Sequence, residues 1–340
     1  MIATPSGGDM IGRRWTLWAV LPPLLCSGAA FAQASAPAGP SFDCAKASTA
    51  SEKAICASPD LAAADVAVSK AYSDLLKALP AAQQTALKAD QKNWINGRSG
   101  GCFDKKDAEL TQCLLAAMQT RRQFLVGEGD NGAAGAPPLL PAFFAESKKG
   151  AYDIMIIYPQ FAKPAAPKFN AAAHDAAYGK NTLAEYRQNA PNKFNGSSNS
   201  YDATYETTWL TPTLVSVTFQ FGEYSGGAHP NNWRVALLWN PATDKAVALG
   251  DFLADPEKAV PVVSALCKAQ AEKNDWGLFD NPDFDTVVKD TKHWAIDKDG
   301  VTIMFDPYLV TPYVAGPHDC RLSYDDLKDL LKPGGVLPPH

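Results

Sequence analysis

Two histidines and two aspartates in the last third of the chain are the residues best suited to catalysis. His229 and His318 lie beside predicted turns, with Asp306 and Asp319 available in the same region. Such side chains could assemble a metal or hydrolase site. Residues 150–340, however, contain no Gly-x-Ser-x-Gly, His-Glu-x-x-His or glycine-rich phosphate loop. Separate histidines are more often hydrogen-bonded turn residues, so we predict no catalytic residue, no metal and no cofactor.

Aromatic and acidic residues in the same part of the chain suit a binding surface. Tyr308 and Tyr313 lie among prolines and are candidates for an exposed binding surface. The alternative is that both side chains pack beneath the proline-rich loop. Acidic residues interleaved with aromatic ones over 275–285 are candidates for contact with a basic protein, and a solvated loop is the alternative. Calcium is disfavoured because 280–285 lacks the spacing and the glycine of an EF-hand loop. The predicted binding residues are Tyr224, His229, Trp276, Phe279, Asp280, Asp283, Tyr308 and Tyr313.

The N-terminus has the composition of a secretory signal peptide. Two arginines precede an apolar run over 15–30, and an Ala-Phe-Ala triplet favours cleavage before Gln33. We therefore predict removal of residues 1–32, no stable membrane span afterwards, and a periplasmic or secreted protein. Lipoprotein processing at Cys26 is disfavoured, because leucine rather than a small residue precedes it.

Six cysteines remain after the predicted cleavage, an even number that suits an oxidising compartment. None lies in a Cys-x-x-Cys pair, so disulfides are favoured over zinc. A long gap divides them into a group of four and a pair. The favoured disulfides are Cys44 with Cys56, Cys102 with Cys113, and Cys267 with Cys320, and the sequence leaves other pairings within the first four cysteines open.

Periodicity and composition divide the mature chain into two domains. Apolar residues recur at helical spacing between 58 and 125, which predicts a small all-α domain over 41–126. A Gly/Ala/Pro-rich segment over 127–149 predicts a linker. Alternating apolar and polar residues over 214–221, with turns between strands, then predict an α+β domain with a mainly antiparallel sheet over 150–333.

Charge is distributed unevenly between these domains. Residues 41–125 contain 11 Lys and Arg against 9 Asp and Glu, whereas 150–340 contain 16 against 23, a net charge of −7. An acidic surface favours a basic partner and disfavours nucleic acid, and solubility alone is the alternative explanation.

The cysteine pattern of the first domain resembles that of the bacterial lysozyme inhibitor LprI. The matching residues are Cys44, Cys56, Leu61, Asp65, Tyr72, Leu75, Gln91, Trp94, Arg98, Cys102, Cys113, Leu114 and Arg121. The resemblance implies a secreted helical module that inhibits lysozyme by direct binding. Tyr72 and Trp94 are predicted to lie in the core, and Arg98 and Arg121 to pair with carboxylates or helix-end carbonyls.

The second domain resembles the extracytoplasmic domain shared by the anti-sigma factor RsiV and the peptidoglycan deacetylase PdaC. The landmarks are Tyr224-Ser-Gly-Gly-Ala-His229-Pro-Asn231, Leu249-Gly-Asp-Phe252, Phe305-Asp-Pro-Tyr308 and Pro312-Tyr313-Val-Ala-Gly316-Pro-His318. In the anti-sigma factor this region binds lysozyme, and in the deacetylase it accompanies a separate catalytic domain.

Three functional hypotheses follow. The first is a protein that binds or inhibits lysozyme-type muramidases, or another basic cell-wall hydrolase, at the cell envelope. The second is a module that associates with peptidoglycan. The third and weakest is an unrecognised hydrolase in the second domain.

Overall fold

The computed structural model describes residues 39–129, 135–161, 166–179, 182–188 and 199–337. The predicted signal peptide and Cys26 lie outside the described residues. The cleavage of residues 1–32 therefore stays a prediction.

Four helices form the N-terminal region, and local signals set their boundaries. Thr49 and Glu52 form a capping box at the first helix, while Ser58 caps the second helix just before Pro59. Pro80 separates the second helix from the third. A short 3-10 helix at Cys44–Lys46 precedes α1 (Ala50–Ala57), α2 (Pro59–Ala78), α3 (Ala81–Gly101) and α4 (Asp107–Val126).

Two arginines next to the Trp94 ring join these helices. The guanidinium groups of Arg98 and Arg121 lie 5.3 and 5.5 Å from the centre of its ring. Arg121 donates to Asp90 at 2.6 Å, and Arg98 forms an ion pair with Asp65 at 3.6 Å. The predicted pairing of both arginines with carboxylates is confirmed.

The first sheet has six strands in the order in which they occur along the chain. Helices α5 and α6 connect β2 to β3, which are parallel, and the other neighbouring strands are antiparallel. The elements are β1 (Leu139–Lys148), β2 (Tyr152–Phe161), α5 (Pro167–Tyr178), α6 (Thr182–Gln188), β3 (Asn199–Leu210), β4 (Val215–Tyr224), β5 (Asn231–Asn240) and β6 (Lys245–Ala246).

A smaller three-stranded antiparallel sheet packs with further helices against the first sheet. The Ser216 hydroxyl accepts a hydrogen bond of 2.9 Å from the Ile296 amide at the contact between the sheets. A disulfide joins Cys267 to Cys320 within this part of the chain. Its elements are α7 (Pro256–Lys273), α8 (Phe284–Lys289), β7 (Trp294–Ile296), β8 (Gly300–Phe305), β9 (His318–Ser323) and α9 (Tyr324–Leu327).

The predicted linker over 127–149 is wrong for residues 139–148, which form strand β1. Phe143 of β1 and Ile157 of β2 are buried in the same apolar cluster as the helix residues. The Gln83 side chain also accepts a 3.0 Å hydrogen bond from the Phe143 amide. Because β1 completes the helical core, the described residues belong to one compact unit. Where the domains divide stays a prediction.

The fold class is confirmed: a disulfide-linked helical region precedes an α+β region whose sheets are mainly antiparallel. The structure also contains the three predicted disulfides.

Candidate binding site

Three adjacent strands present polar residues on one face of the first sheet. Two rows cross β3, β4 and β5: Asp202, Gly222 and Asn232 in one, and Thr204, Gln220 and Arg234 in the next. Side chains alternate between the faces of a strand, so these six positions share a face. The neighbouring positions Phe219 and Phe221 point the other way, into the cluster with α5.

The smaller sheet covers only part of that polar face. At one end, Ser216 and Ala236 are buried against β7 and β8. At the other end, the side chains of Asp202, Gln220 and Asn232 remain exposed. A hollow therefore forms where the smaller sheet stops.

Gly222 makes room for the Asp202 carboxylate at this hollow. A Cβ atom at this position would lie only 2.5 Å from Oδ1 of Asp202. The absence of a side chain on Gly222 thus lets the carboxylate lie close over the strand. Although Asp202 is exposed overall, the protein around its carboxylate reduces solvation of the charged form and so raises its pKa above the ordinary value.

The loop between β8 and β9 forms the opposite side of the hollow. Together with the polar rows it encloses a groove of about 420 Å³, which we call the sheet groove. The loop contributes Asp306, Pro307, Tyr313, Gly316 and Pro317, and the sheet contributes Asp202, Thr204, Gln220, Asn232 and Arg234.

Arg234 holds the loop against the sheet. Its backbone amide donates to Asp306 at 2.6 Å, and its Nε donates to the same carboxylate at 2.8 Å. Nη1 donates to Asp319 at 2.7 Å, and Nη2 donates to the carbonyl of His318 at 3.3 Å. The two carboxylates raise the pKa of the guanidinium despite the opposing effect of its burial. Arg234 therefore fixes the position of the loop.

Aromatic rings line the outer edge of the same loop. His229 stacks on Tyr313 with 3.9 Å between ring centres, and the Tyr313 hydroxyl donates to the Pro230 carbonyl at 2.6 Å. Tyr308 lies 5.7 Å from Tyr313 and is 63% exposed, while Val314 is 92% exposed. We call His229, Tyr308, Tyr313 and Val314 the aromatic edge.

Tyr308 adopts a backbone conformation that is unfavourable for a tyrosine. Its φ angle is +73°, in the left-handed region. A hydrogen bond of 2.9 Å from its amide to the Thr311 carbonyl closes the tight turn that contains it. Such strain is most common where the surrounding structure imposes it for a functional reason.

The other predicted binding residues have different environments. The Tyr224 hydroxyl donates to the Gly227 carbonyl at 3.2 Å, within the turn that carries His229. Phe279 is 41% exposed, and its amide donates to the carbonyl of Val310 in the aromatic-edge loop at 3.0 Å. Asp280 is exposed.

Two predicted binding residues have structural contacts instead. Trp276 is only 6% exposed and stacks on His318 with 4.6 Å between ring centres, so the prediction of an exposed aromatic contact is wrong there. Asp283 caps helix α8, where it accepts from the Thr286 amide at 3.0 Å and from the Thr286 hydroxyl at 2.6 Å. Its hydrogen bonds to Thr286 lower the pKa of this carboxyl.

The polar rows of the sheet groove were not predicted from the sequence. Asp202, Gln220 and Arg234 are separated by many residues, and only strand pairing brings them together. Alternation along β4 was nevertheless a usable signal. One face of β4 contacts the smaller sheet along part of its length. On the same face, Gln220 is exposed and Gly222 has no side chain, which indicates that this contact ends there.

No group of three His, Cys, Asp or Glu side chains in the described part of the chain is arranged to hold a metal ion. Within the same described ranges, no helix is both long and apolar enough to span a membrane.

Three family models match successive parts of the chain. Residues 44–125 match "Lysozyme inhibitor LprI", residues 145–232 match "Deacetylase PdaC", and residues 250–325 match "Protein of unknown function (DUF3298)". The sheet groove lies where the last two matches meet: β3 and β4 belong to one and the β8–β9 loop to the other. The chain thus combines an LprI-like region with a region similar to the PdaC and DUF3298 families, as the motifs predicted.

Solved structures of low sequence identity are also similar. A DUF3298 family protein from Pseudomonas aeruginosa PAO1 is 18% identical with a TM-score of 0.43, covering 60% of this chain and 99% of that chain. A DUF3298 family member from Bacteroides fragilis NCTC 9343 is 16% identical with a TM-score of 0.42, covering 58% and 95%. No curated protein is a significant match. The disulfides and the matched families are consistent with a location outside the cytoplasm.

Proposed function

We propose that this protein acts outside the cytoplasm by binding a basic lysozyme-type muramidase, and that the aromatic edge is the contact surface. The observation that carries the proposal is Tyr308, a large aromatic side chain held 63% exposed on a left-handed backbone beside Tyr313. A left-handed residue other than glycine costs about 1–2 kcal/mol. Because the Tyr308 side chain is exposed, packing in the core of the protein does not offset this energetic cost.

The aromatic edge is organised before any partner arrives. Stacking with His229 and the hydrogen bond to Pro230 fix the ring of Tyr313, and Arg234 fixes the loop that carries it. Tyrosine is enriched among the residues that dominate binding energy. Because the rings lose little conformational freedom on contact, more of the interaction energy contributes to affinity.

Charge supports a basic partner. Residues 150–340 have a net charge of −7, and Asp280 is exposed in the part of the chain that carries the aromatic edge. Opposite charge accelerates encounter and favours the correct partner over others. The match of residues 44–125 to a family described as a lysozyme inhibitor supports the same class of partner.

The test uses the disulfide-bonded protein and hen egg-white lysozyme as a basic muramidase. Binding is measured by calorimetry at low and physiological salt, and residual muramidase activity is measured on cell walls. Tyr308→Ala should weaken binding at least tenfold, which corresponds to about 1.4 kcal/mol. Added salt should weaken binding by the native protein, because it screens the charge attraction.

Phe103→Ala is the matched control, because Phe103 is 87% exposed in the helical region. It should leave affinity unchanged. Loss of binding on Phe103→Ala, with Tyr308→Ala behaving like the native protein, would place the contact on the helical region and refute the assigned surface. Absence of binding by the native protein at low salt would refute the proposed partner.

A further inference from the structure

We propose that the sheet groove is a binding site for a neutral saccharide, with polar residues of β3, β4 and β5 contacting its hydroxyl groups and Tyr313 packing against its ring. This site shares Tyr313 with the aromatic edge, but its polar residues are not part of that edge. It does not depend on the muramidase proposal.

The polar rows offer hydrogen-bonding groups that suit adjacent hydroxyls. Asp202 accepts, Gln220 and Asn232 each donate and accept, and Thr204 does both through one oxygen. In the residues that the structure describes, no protein side chain forms a hydrogen bond with any of these four side chains. A ligand that carries several hydroxyls can satisfy them together.

The sides of the groove suit a compact ring. Tyr313 presents an aromatic ring whose orientation is fixed by His229 and Pro230, and Pro307 and Pro317 add apolar surface. The volume of about 420 Å³ lies within the range of small-molecule sites. A saccharide combines the two requirements, because its C–H groups pack on an aromatic face while its hydroxyls point to the polar rows.

The charges of the groove disfavour an anion. Asp202, Asp306 and Asp319 place three carboxylates around one guanidinium, that of Arg234. The Nε and Nη1 atoms of Arg234 already donate to carboxylates, and Nη2 donates to a carbonyl. A phosphate or carboxylate would therefore meet negative charge without a guanidinium to receive it.

Gly222→Ala tests the site with minimal change to the fold. Gly222 lies in a paired strand, and its φ is not among the left-handed angles, so alanine is compatible with its backbone. Its Cβ would nevertheless fall 2.5 Å from Oδ1 of Asp202 and displace that carboxylate. Gly250→Ala is the matched control, because the nearest atom to its Cβ lies 3.8 Å away on Pro256.

Three trisaccharides serve as probes in calorimetry and NMR titration: N-acetylglucosamine trimer as the neutral one, glucosamine trimer as the cationic one and galacturonic acid trimer as the anionic one. The native protein should bind the neutral trimer with a Kd of about 1 mM or tighter. Gly222→Ala and Asp202→Asn should each weaken binding roughly tenfold or more, and Gly250→Ala should not change it. Absence of neutral-trimer binding, preference for a charged trimer, or unchanged affinity in Gly222→Ala would overturn the proposal.

The same variants separate this site from the proposed muramidase contact. Gly222→Ala should retain lysozyme binding, and Tyr308→Ala should retain saccharide binding. Loss of both activities in Gly222→Ala, with its thermal unfolding unchanged, would show a single shared site and overturn the independence of the groove. If the native protein binds the neutral trimer but not lysozyme, the muramidase proposal is refuted and the saccharide proposal is supported.

Discussion

Replacing Phe143 with alanine should destabilise the helical region and the first sheet together. Phe143 belongs to β1, yet it is only 3% exposed within the helical core and lies edge-on to Phe124 with 6.4 Å between ring centres. Truncation of a buried phenylalanine costs about 3–5 kcal/mol, because contacts are lost and a cavity is left. Total stabilities are typically about 5–15 kcal/mol, so this loss is a large fraction of the whole.

Urea unfolding measures this effect with two signals. Far-UV circular dichroism follows the helices, and tryptophan fluorescence follows both regions. In Phe143→Ala both transitions should move to lower urea by the same amount. Phe103→Ala is the same substitution at an 87% exposed site and should cost less than about 0.5 kcal/mol. A loss below about 1 kcal/mol in Phe143→Ala, or movement of the helical signal alone, would refute a shared core.

Three further predictions concern other contacts. Arg234→Met should cost about 3 kcal/mol in thermal or urea unfolding, because the buried Asp306 carboxylate loses its guanidinium partner and keeps only the hydrogen bond from the backbone amide of residue 234. Replacing both Cys267 and Cys320 with alanine should lower the free energy of unfolding by about 4 kcal/mol, since their sequence separation of 53 closes a long loop. Hydrogen bonds from Arg187 lower the pKa of Glu146 from 4.5 to about 2, so the stability from this pair is present above pH 4.5 and is lost as pH falls towards 2. Unfolding curves of Glu146→Gln measured across that range should show a weaker decline than those of the native protein.

The helices and disulfides could be predicted because their signals are local. Ser58 and Pro59 mark a helix start within adjacent residues, and Pro80 marks the boundary of the next. The cysteines of the helical region pair across short separations of 12 and 11 residues, and the grouping of cysteines indicated only that these four would pair among themselves. In these elements, the residues that contact each other are also close in sequence.

Strand β1 was missed because its composition conflicts with its role. Pro141 and the Gly/Ala/Pro-rich segment that precedes the strand are typical of a linker, whereas the apolar signal is limited to two short pairs, Leu139-Leu140 and Phe143-Phe144. A proline is tolerated there because β1 is the edge strand of its sheet. Which face of β1 contacts the helices depends on packing that no local pattern encodes.

The candidate site could be predicted only where its residues are close in sequence. Tyr308 and Tyr313 lie in one proline-rich loop, and the structure brings His229 to them. The polar rows depend on the register of three strands, so a slip of one residue would place Asp202 on the opposite face. Trp276 shows the converse error, because an aromatic residue in an acidic stretch was assigned to the surface but stacks in the interior on His318 of β9.

The shared core limits how the two regions can act on one partner. Modules on a flexible linker gain affinity because the linker lets the second module search for its site. Here Phe143 and Ile157 lie in the helical core, so the helices keep a fixed position relative to the first sheet. A second contact from the helical region would therefore add affinity only if the partner's surface matches that fixed geometry. Opening the shared core by Phe143→Ala would then reduce the affinity for such a partner, even though Phe143 itself is buried and touches nothing outside the protein.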